Sequence, residues 1–444
     1  MAFIDELDKP KTRDTTGATL AGFRNAEDMV IPGVEDVIAS STGHHAPHGT
    51  DPVSNQTMIL NMGPQHPSTH GVLRLVIELD GETIVSLAPD IGYLHTGIEK
   101  TCEAKFYQQV IPLTDRIDYL APMANNLAYA LAVEKLLGLE IPERAQVIRV
   151  MFMELMRINS HLVWLGTHAM DIGALTVFLY CFREREQLLR IFEAVSGQRM
   201  MTSYIRIGGL ALEMPPGLTD SIKTFLDDFP SKIAEYEGLL NNNPIWKSRL
   251  QGVGYLTAAE AISLGVTGPP LRASGVDFDL RRDMPYSGYE NYQFKVCVSD
   301  GCDVWARYIV RMDEMRESVS ICHQALTKLA ALEGQRIVAD APKIILPDRE
   351  QMKTQMESLI HHFKIVTEGF AVPAGEATSS IEAPHGMMNY YVVSDGTAKP
   401  YRVHMRNADF ANLQALETMC KGKLIADVVA VIGSIDIVLG AIDR

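Results

Sequence analysis

The sequence predicts an α+β fold that is mostly helical, with a central helical bundle and small flanking β-sheets near the two ends. Long helical patterns, each with its own stop signal, fill residues 121–239 and 304–363. Strand-like alternation around Asp-Gly turns occurs at residues 72–88 and 392–405. A chain of 444 residues can bury a large core in one or two domains.

The first 56 residues are polar and irregular, and we expect an extended arm there. Metal binding by the histidines of residues 43–48 is the alternative interpretation. One domain is expected over residues 57–444, with these parts in order: a β-rich part 57–98, a helical bundle 99–240, an irregular insertion 241–300, helices 301–364 and a β/α part 365–444.

Turn and cap residues predict a hairpin and a helix near the start of the ordered chain. Asp80-Gly81, between alternating residues 72–79 and 82–88, predicts a β-hairpin. Residues 96–99 (TGIE) have the spacing of a capping box, which predicts a helix from there to about residue 110.

Glycine and proline divide the rest of the chain into long helices. One helix should end at Gly138 and the next begin after Pro142, while Thr219 should cap a later one. Residues 244–290, rich in Gly, Pro and Arg, should be irregular. The predicted helices are 121–137, 142–167, 176–195, 219–239, 304–332, 349–363 and 410–421.

Residues 162–182 are mostly apolar, as in a membrane span, but His168 and Asp171 lie at their centre. A charge in mid-span is expensive in lipid, so we interpret this stretch as the end of one core helix and the start of the next. The chain opens without the apolar core of a signal peptide.

Charge and cysteine usage restrict the function further. A net charge of −15 argues against sequence-independent binding of nucleic acid and against adhesion to anionic lipid. The six cysteines contain no Cys-x-x-Cys pair, which predicts reduced, buried thiols and a cytoplasmic compartment.

Residues 61–71 (NMGPQHPSTHG) are the most informative segment. They place His66 and His70 on a short connection held by two glycines and two prolines. Histidine is the side chain that moves protons near neutral pH. The alternative is a polar loop whose imidazoles only satisfy backbone groups.

Residues 114–119 (TDRIDY) form a second unusual motif. Asp115 and Asp118 can stabilise the positive end of the following helix, which leaves Arg116 and Tyr119 unexplained. At the end of the chain, residues 436–444 alternate apolar residues before Asp-Arg, which predicts a tail packed inside the fold.

A third motif combines His161, His168 and Asp171, which one persistent helix could hold on one face. Ionisable groups in so apolar a setting would have perturbed pKa values, a hint of function. A buried polar cluster that satisfies itself is the alternative.

Six motifs then point to one family. They are GPQHPSTHGVLR at 63–74, DRIDY at 115–119, SGQRM at 196–200, YIR at 204–206, SDG at 394–396 and PYR at 400–402. In order and spacing they resemble the D (49-kDa-type) subunit of proton-pumping NADH:quinone oxidoreductase, respiratory complex I. The resemblance covers residues 57–444.

That family is related to the large subunit of nickel–iron hydrogenases, whose fold this resemblance implies. Two Cys-x-x-Cys pairs hold the hydrogenase metal, and here they fall on Asp118 with Ala121 and on Val438 with Ala441. Because nickel needs soft sulfur ligands, the missing thiolates exclude hydrogenase chemistry.

The resemblance implies a quinone pocket where that metal sat. Tyr119 and His70 would hydrogen-bond the quinone and donate protons, with Asp171 orienting or recharging His70. Arg116 would lie beside the terminal cluster of a neighbouring subunit. His66 is expected to hold the loop, with quinone contact as the second possibility.

The resemblance also implies cofactors and partners. No cofactor is bound by this chain alone: the quinone is a substrate, and the iron–sulfur cluster and flavin belong to partner subunits. The partners would be a cluster-bearing B-type subunit, C-type and I-type peripheral-arm subunits and a membrane-arm H-type subunit, with no nucleic acid. The chain would lie peripherally on the cytoplasmic side of the inner membrane, with no transmembrane segment.

Two alternatives stay open at this stage. One is a D-type subunit of a related complex fed by ferredoxin or reduced deazaflavin, and the other is a non-catalytic structural subunit. Met201 stands where many relatives carry a histidine linked to the cluster potential, which raises the hypothesis of a lower potential matched to menaquinone. Met387 stands where an acid is usual.

Overall fold

The computed structural model describes residues 57–69 and 71–444. The predicted N-terminal arm and His70 therefore lie outside the described residues. The chain from Leu60 to Arg444 forms one compact unit.

The strands form three small sheets, ordered β1-β2-β3, β4-β5 and β6-β7-β8. Their bounds are β1 Met58–Met62, β2 Arg74–Asp80, β3 Thr83–Asp90, β4 Ile205–Arg206, β5 Gly209–Leu210, β6 Gly375–Ala383, β7 Gly386–Ser394 and β8 Arg402–Arg406. Helices make up most of the remaining ordered chain, so the predicted mostly helical α+β class is confirmed.

The helices are α1 Ile98–Glu103, α2 Tyr107–Thr114, α3 Pro122–Leu137, α4 Glu143–Asp171, α5 Leu175–Ser196, α6 Leu218–Leu240, α7 Pro244–Leu250, α8 Ala258–Ser263, α9 Pro269–Arg272, α10 Leu280–Asp283, α11 Val304–Ala331, α12 Arg349–Thr354, α13 Met356–Glu368, α14 Ala408–Gln414, α15 Leu416–Cys420, α16 Ile425–Ile435 and α17 Leu439–Asp443. None of the helices in the described chain has the length and apolar character needed to cross a lipid bilayer.

Helix α4 is the centre of the bundle. It packs against α3, α5, α11 and α16, and nearly all of its residues from Val147 to Ala169 face protein rather than solvent. A helix that is covered on every side is expected at the middle of a core rather than at its surface. The predicted end of one helix and start of another is confirmed, since α4 ends at Asp171 and α5 begins at Leu175.

The charged residues buried on α4 are neutralised by other elements. Glu154 accepts hydrogen bonds from Arg281 at 3.1 Å and from the hydroxyls of Ser318 and Tyr289 at 2.7 Å each. Burial alone would raise the pKa of Glu154, but Arg157 and Arg281 hold it at about 2. The bundle therefore contains a fully ionised interior network.

Several local predictions were wrong because tertiary contacts overrode the local signal. The residue that caps α1 is Gly97 rather than Thr96, and Glu99 instead accepts from the backbone N–H of Met405 at 2.8 Å. Gly217 rather than Thr219 precedes α6. The helix predicted to about residue 110 is interrupted between α1 and α2.

The C-terminal third holds more structure than was predicted. The 349–363 helix is divided at Gln355, which is extended. Strand β6 was missed and the 410–421 helix is two short helices, whereas the strands predicted around the Asp-Gly turn of 392–405 are present as β7 and β8. The insertion over 244–290 contains the short helices α7 to α10. All six cysteines are free and five are buried, as predicted.

Candidate active site at the turn of Tyr119

The turn between α2 and α3 carries the candidate residues and is ordered by Asp118. One carboxylate oxygen of Asp118 accepts from the backbone N–H groups of Leu120 and Ala121 at 3.1 Å each. Pro122 then begins α3 at the first helical position. Asp118 therefore orders the turn before α3, while its predicted stabilisation of the helix start stays a prediction, since the N-cap residue Ala121 has no side-chain cap.

Asp115 anchors the same turn on its other side. It is buried and accepts from the backbone N–H and the hydroxyl of Ser203, and burial raises its pKa. Arg116 is exposed, with its guanidinium donating to the carbonyl of Pro112. The turn thus directs its one guanidinium outward.

Tyr119 is half-buried against the core. Burial raises the pKa of its phenol, the charge of Asp118 raises it further, and the charge of His385 acts in the opposite direction. The phenol therefore keeps its proton at neutral pH and is placed as a hydrogen-bond and proton donor.

Behind this turn lies a buried imidazole, His385, at the tip of the β6–β7 hairpin. Its Nε2 is 3.3 Å from a carboxylate oxygen of Asp118, and its Nδ1 is 2.7 Å from the carbonyl and 3.2 Å from the carboxylate of Asp436. Burial alone would lower the pKa of His385, but Asp118 and Asp436, with Asp409, raise it well above its ordinary value. The ring is therefore an imidazolium with only 2% of its surface exposed.

The C-terminal tail completes the site. Asp409 at the start of α14 accepts from the backbone N–H of Val438 at 2.8 Å, and burial raises its pKa to about 7. A Cβ on Gly440 would lie 2.7 Å from the carbonyl oxygen of Ile117, so only glycine permits this approach. The predicted buried tail is confirmed, and the two segments aligned with the hydrogenase cysteine pairs lie together.

The loop between β1 and β2 is closed tightly at its base. Gly63 has φ of 90°, and a Cβ there would lie 2.1 Å from the carbonyl oxygen of Leu73. His66 is exposed, and its Nδ1 accepts from the backbone N–H of Ser68 at 3.2 Å. This contact fits the expectation that His66 holds the loop. The turn at Pro67–Thr69 packs against α16, and His70 follows it outside the described residues.

Asp171 ends α4, beyond the point where this helix meets the Tyr119 turn. The side chain of Asn159 donates to the carbonyl of Leu120 at 3.3 Å, and Asp171 is roughly three turns further along, about 18 Å by helix rise. Burial raises the pKa of Asp171 to about 6, and the charge of His66 lowers it. Asp171 is therefore within electrostatic reach of the histidine loop.

Helix α4 persists through His161, His168 and Asp171, as the prediction required, but the two histidines meet different neighbours. His161 pairs with Glu314 through Nε2 at 2.9 Å. His168 stacks on Trp164 with ring centroids 5.6 Å apart, and burial lowers its pKa to about 3. Neither ring nitrogen of His168 has a hydrogen-bond partner among the described residues, so the alternative of a buried cluster that satisfies itself does not hold for it.

The cluster of His385 with Asp409 and Asp436 was missed as a unit. A histidine before glycine at a hairpin tip is typical of an exposed turn. The only available signal was Asp436, a carboxylate inside a tail predicted to be buried. A cavity of about 900 Å³ lies between residues 203–213 and 335–348 and is lined by none of these groups.

Changing Asp171 to Asn is expected to change the pH dependence of stability. A carboxyl with pKa near 6 when folded and about 3.9 when unfolded holds its proton more tightly in the folded state. Between these values the folded chain binds more protons, so stability falls as pH rises. Asp171→Asn should raise the urea midpoint relative to the parent at about pH 7.5 and leave it unchanged near pH 4.

The exposed Asp80→Asn is the matched control and should show no such pH-dependent difference. An equal effect of Asp171→Asn at both pH values would mean that the carboxyl is not perturbed by burial.

Comparison with known proteins identifies one protein family. The family model described as respiratory-chain NADH dehydrogenase, 49 Kd subunit, matches residues 171–444. An NADH-quinone oxidoreductase D subunit of Koribacter versatilis is 70% identical over 390 residues, covering 88% of this chain and 96% of that protein. The corresponding D subunit of Solibacter usitatus is 64% identical over 387 residues, covering 87% and 94%. That of Geotalea uraniireducens is 59% identical over 391 residues, covering 88% and 100%.

The helical fold, the Tyr119 turn and these relatives together define a component of an oxidoreductase. The chain belongs to the family of the 49-kDa or D subunit of the respiratory-chain NADH dehydrogenase.

Proposed function

We propose that this chain forms the quinone-reduction site of a proton-translocating NADH:quinone oxidoreductase and is active only in the assembled complex. The observation that carries the proposal is the half-buried phenol of Tyr119, on a turn backed by the buried ion cluster of Asp118 and His385. Family membership supplies the reaction, since the relatives are named for NADH and quinone.

Reduction of a quinone to a quinol takes two electrons and two protons. Tyr119 donates one proton to a carbonyl oxygen, and His70 donates the other. Asp171 at the end of α4 orients or recharges His70. In support, the described part of the loop brings His66 close enough to Asp171 for its charge to act on that carboxyl.

The electrons come from an iron–sulfur cluster in a B-type partner subunit, which in turn receives them from a flavin. The exposed guanidinium of Arg116 is available for a surface that faces this cluster. A fixed positive charge there favours the reduced cluster.

Proton loss from Tyr119 and His70 leaves a local charge imbalance, which drives translocation through the membrane subunits. The chain docks with C-type, I-type and H-type subunits at the cytoplasmic face of the inner membrane. Beside Asp171, the side chains of Met170, Leu175 and Leu179 are exposed by 37%, 57% and 59%. Such an apolar strip suits an apolar quinone or a membrane-arm partner.

Changing Tyr119 to Phe in the assembled complex is expected to lower NADH:quinone reductase activity by about 10²-fold, the lower range for loss of a general acid. Electron transfer from NADH to an artificial acceptor that bypasses the quinone should stay unchanged. The exposed Tyr255→Phe is the control and should be fully active. Unchanged quinone reduction in Tyr119→Phe would refute the role of this phenol.

A further inference from the structure

We propose that His385 is a positioning residue for quinone protonation, acting as a permanent buried cation that offsets the negative charge formed when Tyr119 loses its proton. This inference rests on the proposed function and deepens it. It starts from the placement of His385 between two carboxylates, Asp118 and Asp436, directly behind the Tyr119 turn.

Four parts of the fold hold this imidazole. Asp118 comes from the turn before α3, Asp436 from the connection between α16 and α17, and Ser160 from α4, with its hydroxyl 3.4 Å from Nε2. The side-chain amide of Asn412 on α14 donates to the backbone carbonyl of His385 at 3.2 Å. Both ring nitrogens therefore lie close to carboxylate oxygens, a setting that favours the doubly protonated ring.

The charges around the ring balance only when it is positive. Asp118 and Asp436 face its two nitrogens, and Asp409 on α14 also acts on it. On the far side, Arg311 of α11 lies 3.8 Å from Asp436 and donates to the carbonyl of Ser434. His161 on α4 also acts on Asp436. Burial lowers the pKa of His161, so the neutral ring adds no charge of its own.

Without His385, three buried carboxylates would face Arg311 alone. Neighbouring carboxylates cannot all stay ionised in a protein interior without a cation. They would also oppose a phenolate at Tyr119, because the charges of Asp118 and Asp409 already raise the pKa of that phenol. The imidazolium is the group in this set that lowers it.

Proton transfer from Tyr119 to the reduced quinone breaks one bond and forms another. The Oη–H bond of Tyr119 breaks, its proton bonds to the quinone oxygen, and a phenolate forms. His385 keeps both of its protons throughout, because both nitrogens face carboxylates. Water reaching the half-buried ring returns the proton to the phenolate. The role of His385 is electrostatic, not that of a proton donor.

The test uses the assembled complex and the pH profile of its quinone reductase activity. His385→Gln removes the charge and should lower activity about tenfold at neutral pH, less than the roughly 10²–10³-fold for a donor that touches the reacting atoms, because His385 acts through Tyr119. Without the cation, the carboxyl groups of Asp118, Asp409 and Asp436 ionise as pH rises. The loss of activity should therefore grow with pH, and the alkaline limb of the activity profile should move to lower pH. His385→Lys restores a cation and should keep the parental profile.

Asp436→Asn weakens the cation without removing it and guards against a His385 variant that fails to assemble. Asparagine tolerates the left-handed backbone that Asp436 adopts, with φ of 54°. Because the charge of Asp436 helps to raise the pKa of His385, its removal should let the ring lose its proton at lower pH and move the alkaline limb to lower pH. The surface variant His323→Gln is the matched control, and its profile should not move.

Three results would overturn the inference: an unshifted profile in an assembled His385→Gln complex, a His385→Lys complex as impaired as His385→Gln, or an Asp436→Asn shift toward higher pH. The Tyr119→Phe variant distinguishes failure of the proposed function from failure of this inference. If it abolishes quinone reduction while the His385 and Asp436 variants leave the profile unmoved, the proposed function stands and this inference alone fails.

Discussion

Changing Arg272 to Met is expected to destabilise the chain by about 3–5 kcal/mol, the range for breaking a buried ion pair. Its guanidinium is fully buried and reaches Glu314 and Glu382 at 2.7 Å each. Methionine fills similar volume but leaves both carboxylates without this cation. The measurement is the free energy of unfolding in urea, monitored by circular dichroism.

Arg282→Met is the control for Arg272→Met. This arginine, in the same short stretch of chain, is exposed and pairs with Asp277 and Asp283 on the surface. Its loss should change stability by less than about 1 kcal/mol. The Arg272 effect should shrink at low pH, where Glu314 and His161 can take up protons. Equal, small effects of both substitutions would mean that the interior network is not ionised.

Changing Gly433 to Ala is expected to destabilise the chain by about 1–3 kcal/mol through overpacking. A Cβ there would lie 2.1 Å from Nδ1 of His168. The ring cannot easily move, because it lies between Trp164 and Trp246, with centroids 5.6 and 5.5 Å away. Trp164 is itself held by a hydrogen bond to the carbonyl of Gly433 at 2.7 Å.

Gly238→Ala is the matched control, since it is also a helical glycine but has open space where its Cβ would be. It should stabilise the chain by up to about 1 kcal/mol, the usual helix preference for alanine. Adding His168→Ala to Gly433→Ala should remove the extra loss caused by the clash. If Gly433→Ala is as stable as Gly238→Ala, the close packing of α16 on α4 is not as described.

The sequence predicted those features that depend on neighbours in the chain. Gly138 and Gly197 end helices in left-handed backbone, as their residue type indicates. The predicted hairpin joins β2 and β3, with its turn at Gly81-Glu82, since Asp80 pairs with Thr83. The central charges His168 and Asp171 correctly argued against a membrane span. Local signals failed where a distant group competed for the same side chain, as when Met405 took the carboxylate of Glu99 from its capping role.

The sequence predicted the part of the candidate site that lies in one short motif, and missed the part that depends on distant contacts. The Tyr119 turn is one short motif, so its residues could be recognised together. His161 and His168 share a helix with Asp171, yet they meet different neighbours: His161 pairs with Glu314, and His168 packs between aromatic rings. Helical spacing alone cannot say which partner a buried ring meets.

The sequence by itself determined the helical class, the family motifs, the Tyr119 turn and the buried tail, because periodicity, turn chemistry and composition act over a few residues. Only the tertiary structure decided that His385 is a buried cation. A histidine at a hairpin tip is exposed by default, and it becomes an imidazolium here because the packing of distant elements places Asp118 and Asp436 on its two nitrogens. Such long-range electrostatics depends on the assembled core and not on any local pattern.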